Sequence, residues 1–96
     1  MIISCFSDEI DPSLDVQIRV IRELGLRHLE IRTMDDVNVM DLSLRQIREI
    51  RQRTDSEDLT ITCVSSPIGK EYVSCSKESI LDKVKKACDR AREFGC

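Results

Sequence analysis

Two helical patterns in this chain end on the same signal, and that repetition restricts the fold more than any other feature. Arg22-Glu23-Leu24-Gly25-Leu26 closes one pattern and runs at once into the strand-like His28-Leu29-Glu30-Ile31-Arg32. Arg92-Glu93-Phe94-Gly95-Cys96 closes another in the same way. A glycine just past a helix takes up the left-handed conformation that ends it and redirects the chain. The recurrence predicts a further strand from about Cys96, and reads the chain as the opening portion of a longer strand-helix repeat.

Three such units follow one another. Met1 to Phe6 is a short apolar and β-branched run suited to a strand. Asp11-Pro12 then reads as an N-cap with proline at the first helical position, and Leu14, Ile18, Ile21 and Leu24 recur at helical spacing up to Gly25. The second strand is Arg27 to about Arg32. After a polar loop, Ser43-Leu44-Arg45-Gln46 has the form of a capping box, with Leu42 and Ile47 placed to staple it. The third strand is Leu59 to about Ser65. The loop Ser66-Pro67-Ile68-Gly69-Lys70 leads toward a helix from about Ser79 to Phe94, with Ile80, Val84, Ala87, Ala91 and Phe94 on one face.

Strands alternating with helices at this period imply parallel pairing through right-handed crossovers. Either a (β/α)8 barrel or an open doubly wound sheet satisfies that rule. In the second strand Leu29 and Ile31 point one way and His28, Glu30 and Arg32 the other. A central doubly wound strand is apolar on both faces, whereas a barrel strand carries polar residues near its carboxyl-end mouth. No G-x-G-x-x-G or Walker loop follows the first strand. The pattern therefore favours the first three units of a (β/α)8 barrel, an α/β chain whose residues 1–96 form a single partial domain.

Composition narrows the function classes. The net charge of -3 argues against nucleic acid as a partner. No apolar run approaches the roughly 20 residues of a membrane span, and no basic-then-apolar leader opens the chain. The five cysteines include no C-x-x-C pair, and their odd number suits free thiols in a cytoplasmic protein better than a disulfide framework. A zinc site is not indicated, since there is one histidine and no ligand spacing.

Three residues stand out for substrate binding. Glu30 and Arg32 share one face of a strand, with Cα atoms roughly 6 to 7 Å apart, and can hold a polyol or sugar phosphate. An internal ion pair is the structural alternative. Lys70 follows Pro67 and Gly69 in a loop at the carboxyl end, a point charge for phosphate or carboxylate. Asp8 and Glu9 follow the first strand toward the same end. His28 starts its strand, at the far end from these, and reads as structural.

With those residues in view, the chain resembles the sugar phosphate isomerase/epimerase family of xylose-isomerase-like TIM barrels. The resemblance is carried by Ile3-Ser4-Cys5-Phe6-Ser7-Asp8-Glu9-Ile10, by Leu24-Gly25-Leu26 running into Leu29-Glu30-Ile31-Arg32, and by Ser66-Pro67-Ile68-Gly69-Lys70. It implies an isomerase or epimerase acting on a sugar or sugar phosphate, with a divalent metal at the mouth of the complete barrel. That metal polarises a carbonyl and stabilises an enediolate while paired carboxylates move a proton. No family metal ligand maps onto these 96 residues, which are expected to be inactive by themselves. Glu30, Arg32 and Lys70 match the part that shapes the substrate pocket. Two other readings remain: a self-sufficient small α/β module that oligomerises or binds a partner, and part of a metal-dependent endonuclease of the same superfamily. Three parallel strands with open edges would also favour self-association.

Overall fold

Strand and helix alternate as the sequence requires, but the layer they build is not a barrel segment. The computed structural model describes residues 1–96. β1 (Ser4–Phe6) lies beside β2 (His28–Ile31), and β2 beside β5 (Thr60–Val64), all parallel and in the order β1-β2-β5. Between β2 and the next helix the chain inserts a two-stranded antiparallel ribbon, β3 (Thr33–Met34) and β4 (Val37–Asn38). The helices are α1 (Leu14–Glu23), α2 (Leu44–Ser56) and α3 (Lys77–Phe94).

The expected opening of a (β/α)8 barrel is thus corrected to a small α/β fold: three helices, a three-stranded parallel sheet and a separate antiparallel pair. The misreading has a physical source. Polar residues alternating with Leu29 and Ile31 suit the mouth of a barrel. The same alternation arises whenever helices cover one face of a sheet and leave the other bare. The inserted ribbon occupies the segment whose polar composition predicts a loop. Its two-residue turn, Asp35-Asp36, has φ of 49° and 61°, the pair of positive angles a tight hairpin turn demands. Aspartate enters that region less readily than the Asn-Gly or Asp-Gly pairs that usually announce such a turn.

Local sequence explains the helix boundaries. Ser43 accepts from the Gln46 amide while the Gln46 side chain accepts from the Ser43 amide, completing the capping box. Leu42 and Ile47 on either side of it are both buried. The first helix starts later than Asp11-Pro12 suggests, because Asp11 Oδ1 accepts from the Ser13 amide at 2.8 Å and forms a local turn instead. The third starts earlier, capped by Ser76. Gly25 and Gly95 take φ of 71° and 84°, the left-handed ends that the repeated signal requires.

The core lies between sheet and helices. Leu29, Ile31 and Ile61 meet Leu14, Ile18 and Ile21 of α1, Ile47 and Ile50 of α2, and Phe94 at the end of α3. On the other face, rows of in-register residues carry Ser4, His28 and Thr60, then Phe6, Glu30 and Cys63. No helix covers this face, and Phe6, Thr60, Thr62 and Cys63 are exposed. No helix is long and apolar enough to cross a membrane.

Candidate functional site

The carboxyl ends of β1, β2 and β5 bring Asp8, Glu9, Glu30, Arg32, Thr33 and Ser65 into one connected group. An open α/β sheet binds ligands at this end, where the chain leaves the strands for variable loops. Ser7, fully buried, donates from its hydroxyl to the Glu30 carbonyl at 3.3 Å and ties the end of β1 to β2. Ser65 extends β5 by one bond, from its amide to the Ile31 carbonyl at 2.8 Å.

Glu30 and Arg32 do not pair with each other. Arg32 lies just past β2, and its Nε donates to Asp8 Oδ2 at 2.8 Å while a second guanidinium nitrogen donates to Glu9. Its guanidinium carbon also stands 5.2 Å from the centre of the Phe6 ring, a distance at which the ring face attracts a cation. The hydrogen bonds from Asp8 and then Glu9 raise the Arg32 pKa further above its ordinary value, so this cation is permanent. Thr33 Oγ1 donates to the same Asp8 Oδ2 at 2.9 Å. Asp8 is only 8% exposed, and its other oxygen, Oδ1, is buried and accepts no hydrogen bond. An acceptor in that condition costs about 1–3 kcal/mol.

Glu30, two residues before Arg32, has no cationic partner. Its carboxylate accepts only from the Ser65 hydroxyl, at a long 3.4 Å. It lies in the bare-face row between Phe6 and Cys63. The neighbouring Cys5 thiol has its pKa raised, first by burial and then by the Glu30 charge, so it stays protonated and unreactive at neutral pH.

Lys70 belongs to a different place. It lines a cleft of about 500 Å³ between the turn after β5 and the first half of α3, together with Lys83, Lys86, Asp41 and Glu71. Glu71 accepts from the Gly69 amide at 2.7 Å and from Lys83 Nζ at 3.0 Å. The Lys83 hydrogen bond, then local backbone donors, hold its carboxyl below the usual carboxylate range. Lys86 stands 3.9 Å from Asp41, while Lys70 forms no salt bridge.

The sequence-derived set is therefore divided: Glu30 and Arg32 sit at adjoining positions, and Lys70 lines its own cleft. Asp8 and Glu9 do reach this end of the sheet, as their position after the first strand suggested, and act by holding Arg32. Ser65 and Thr33 carried no signal in the sequence beyond their place next to strand ends. Nothing in the sequence marks Lys83 or Lys86 apart from the other charged positions of α3. His28 sits at the amino end of β2, away from the group. The divalent metal that the resemblance implies has no fitting ligand set, since no three His, Cys, Asp or Glu side chains converge to hold one. No protein-family model, curated protein or solved structure matches the chain.

Proposed function

We propose that this chain binds a sugar or sugar phosphate at the carboxyl end of its parallel sheet, the ligand class of the isomerase/epimerase family that it resembles. The observation that carries the reading is Glu30: a carboxylate on an uncovered sheet face, without a cation, two residues before a firmly held arginine. Vicinal hydroxyls are both donors and acceptors. They can donate to Glu30 and accept from the remaining N–H groups of Arg32, an arrangement that neither an apolar ligand nor a simple anion exploits. Phe6 offers an apolar ring surface beside them.

Lys70 has the role of a point charge for the anionic end of a phosphorylated ligand, its charge being uncompensated within its cleft. Proton transfer beside a carbonyl needs a base for the proton on carbon and an acid or other electrophile at the carbonyl oxygen. Glu30 supplies one such group, and Asp8 and Glu9 are already engaged by Arg32. Binding, rather than turnover, is the activity proposed for these residues by themselves.

Titration of the isotope-labelled protein with pentoses, hexoses and their phosphates tests this directly by NMR shifts. Shifts should concentrate at residues 7–9, 30–33 and 65–66, joined by residues 69–71 for the phosphorylated ligands alone. Glu30→Gln should weaken binding of every ligand at least about tenfold, the loss of one charge-assisted hydrogen bond. Lys70→Ala should weaken only the phosphorylated ligands. Shifts elsewhere, or affinities indifferent to Glu30→Gln, would sink the reading.

A further inference from the structure

The parallel sheet has two edges, and they are protected unequally. β5 carries a bulge: its register against β2 slips between Leu29 and Glu30, where Thr62 is the extra residue. A bulge bends and twists a strand and spoils its use as a template for another chain. β1, at the opposite edge, pairs with β2 in unbroken register. Neither this three-residue strand nor the Met1–Ile3 segment that leads into it carries a charged side chain or a proline, two of the devices that blunt an edge. It is also apolar where it is exposed, with Ile2 at 72%, Ile3 at 53% and Phe6 at 42% of full accessibility.

The molecule as a whole exposes more surface than a compact monomer of its mass. Its accessible surface is 6366 Å². A globular monomer of 11.0 kDa exposes about 5,600 Å². The chain thus has surface to spare for the roughly 800 Å² that each partner contributes to a standard interface. The radius of gyration, 14.0 Å, likewise exceeds the about 12.5 Å of a compact chain this long.

From these observations we propose that the chain forms a two-fold symmetric dimer in which β1 pairs antiparallel with β1 of a second copy, uniting two three-stranded sheets into one of six strands. Self-pairing suits this segment because, lacking charge, it meets no like-charge opposition when set against itself. A two-fold axis also closes the assembly, since the only remaining edges are the bulged β5 strands. The two bare faces become one continuous surface, and the exposed Ile2 and Ile3 of each copy are covered at the seam.

Sedimentation velocity over a range of concentrations tests the assembly. The unaltered chain should sediment as a dimer. Ile3→Lys, at an exposed position outside the core, should raise the dimer dissociation constant at least about tenfold with unchanged far-ultraviolet dichroism. Ile2→Lys should act in the same direction. Leu81→Lys, on the outer side of α3, should leave the dimer intact. Amides of residues 2–6 should gain exchange protection as concentration rises. A chain that stays monomeric up to its solubility limit, open-ended aggregates in place of a dimer, or a dimer broken by Leu81→Lys and not by Ile3→Lys would each overturn the proposal.

Discussion

Helices α1 and α2 share the same layer with α3 yet are held to the sheet by different forces. The first two bury Leu14, Gln17, Ile18 and Ile21, and Ile47, Ile50 and Thr54. The third is the longest of the three and buries only Phe94. Its apolar face is half-covered at Ile80, Ala87 and Ala91 and exposed at Leu81 and Val84. What fastens it is polar: Arg51 donates to the Glu93 carbonyl at 3.0 Å, Arg48 stands 3.9 Å from Glu93, and Lys83 and Lys86 reach Glu71 and Asp41. An amphipathic pattern declares which face of a helix can be buried. Whether that face is buried depends on what the rest of the fold places opposite.

The largest expected effect breaks this contrast at the one fully buried side chain of α3. Phe94→Ala should cost about 3–5 kcal/mol, the range for truncating a buried aromatic. Because α3 has little else buried, the loss should appear as local unfolding. Hydrogen exchange should show α3 amides losing protection while those of α1 and α2 keep theirs. Equal loss in all three helices would mean that α3 is as integral as the others. Ile21→Ala, at a fully buried position of α1, should cost about 2–5 kcal/mol. In this case the whole denaturation midpoint should fall, with every protected amide affected together.

Residue by residue, the local code was far more legible than the assembly. Ser43 and Gln46 announced a capping box, and Gly25 and Gly95 announced helix ends, because each signal depends on neighbours a few residues away. Closure of a sheet depends on what lies across the strands, and the His28 and Glu30 alternation is the same for a lumen and for a bare face. The site follows the same rule. Glu30 and Arg32 were recognisable as unusual polar residues on a strand, but their partners were not. Arg32 turns to Asp8 and Glu9, which are distant in sequence and come near only through the β1-β2 pairing. Lys70 looked like part of the same group because its loop follows the adjacent strand. The loop instead folds against α3, where Glu71 ties Gly69 to Lys83.

Smaller effects sharpen the contrast. Ser43→Ala removes the side-chain acceptor of the capping box and should cost about 1 kcal/mol, readable as a shift in a urea melt. Leu81→Ser removes apolar surface that is already 48% exposed and should change stability by no more than about 0.5 kcal/mol. A larger loss would show that the outer face of α3 is covered in solution.

The smallest expected effect is a pH dependence confined to the polar attachment of α3. The Glu71 carboxyl is held below its ordinary range by Lys83 and by backbone donors, so folding favours its ionised form. A depressed folded value means that this stabilisation is fully present above the carboxylate's unfolded pKa. It is lost as the pH falls through the lower, folded value. Glu71→Gln should therefore loosen the loop at residues 67–71 and the first turns of α3 at neutral pH. The difference from the unaltered chain should fade on acidification. Amide exchange at Gly69 and Lys83, followed from neutral to acidic pH in both proteins, measures this. A difference that persisted unchanged into acid would mean that Glu71 acts through packing alone. The ion pair would then have to be removed from the list of what holds α3 in place.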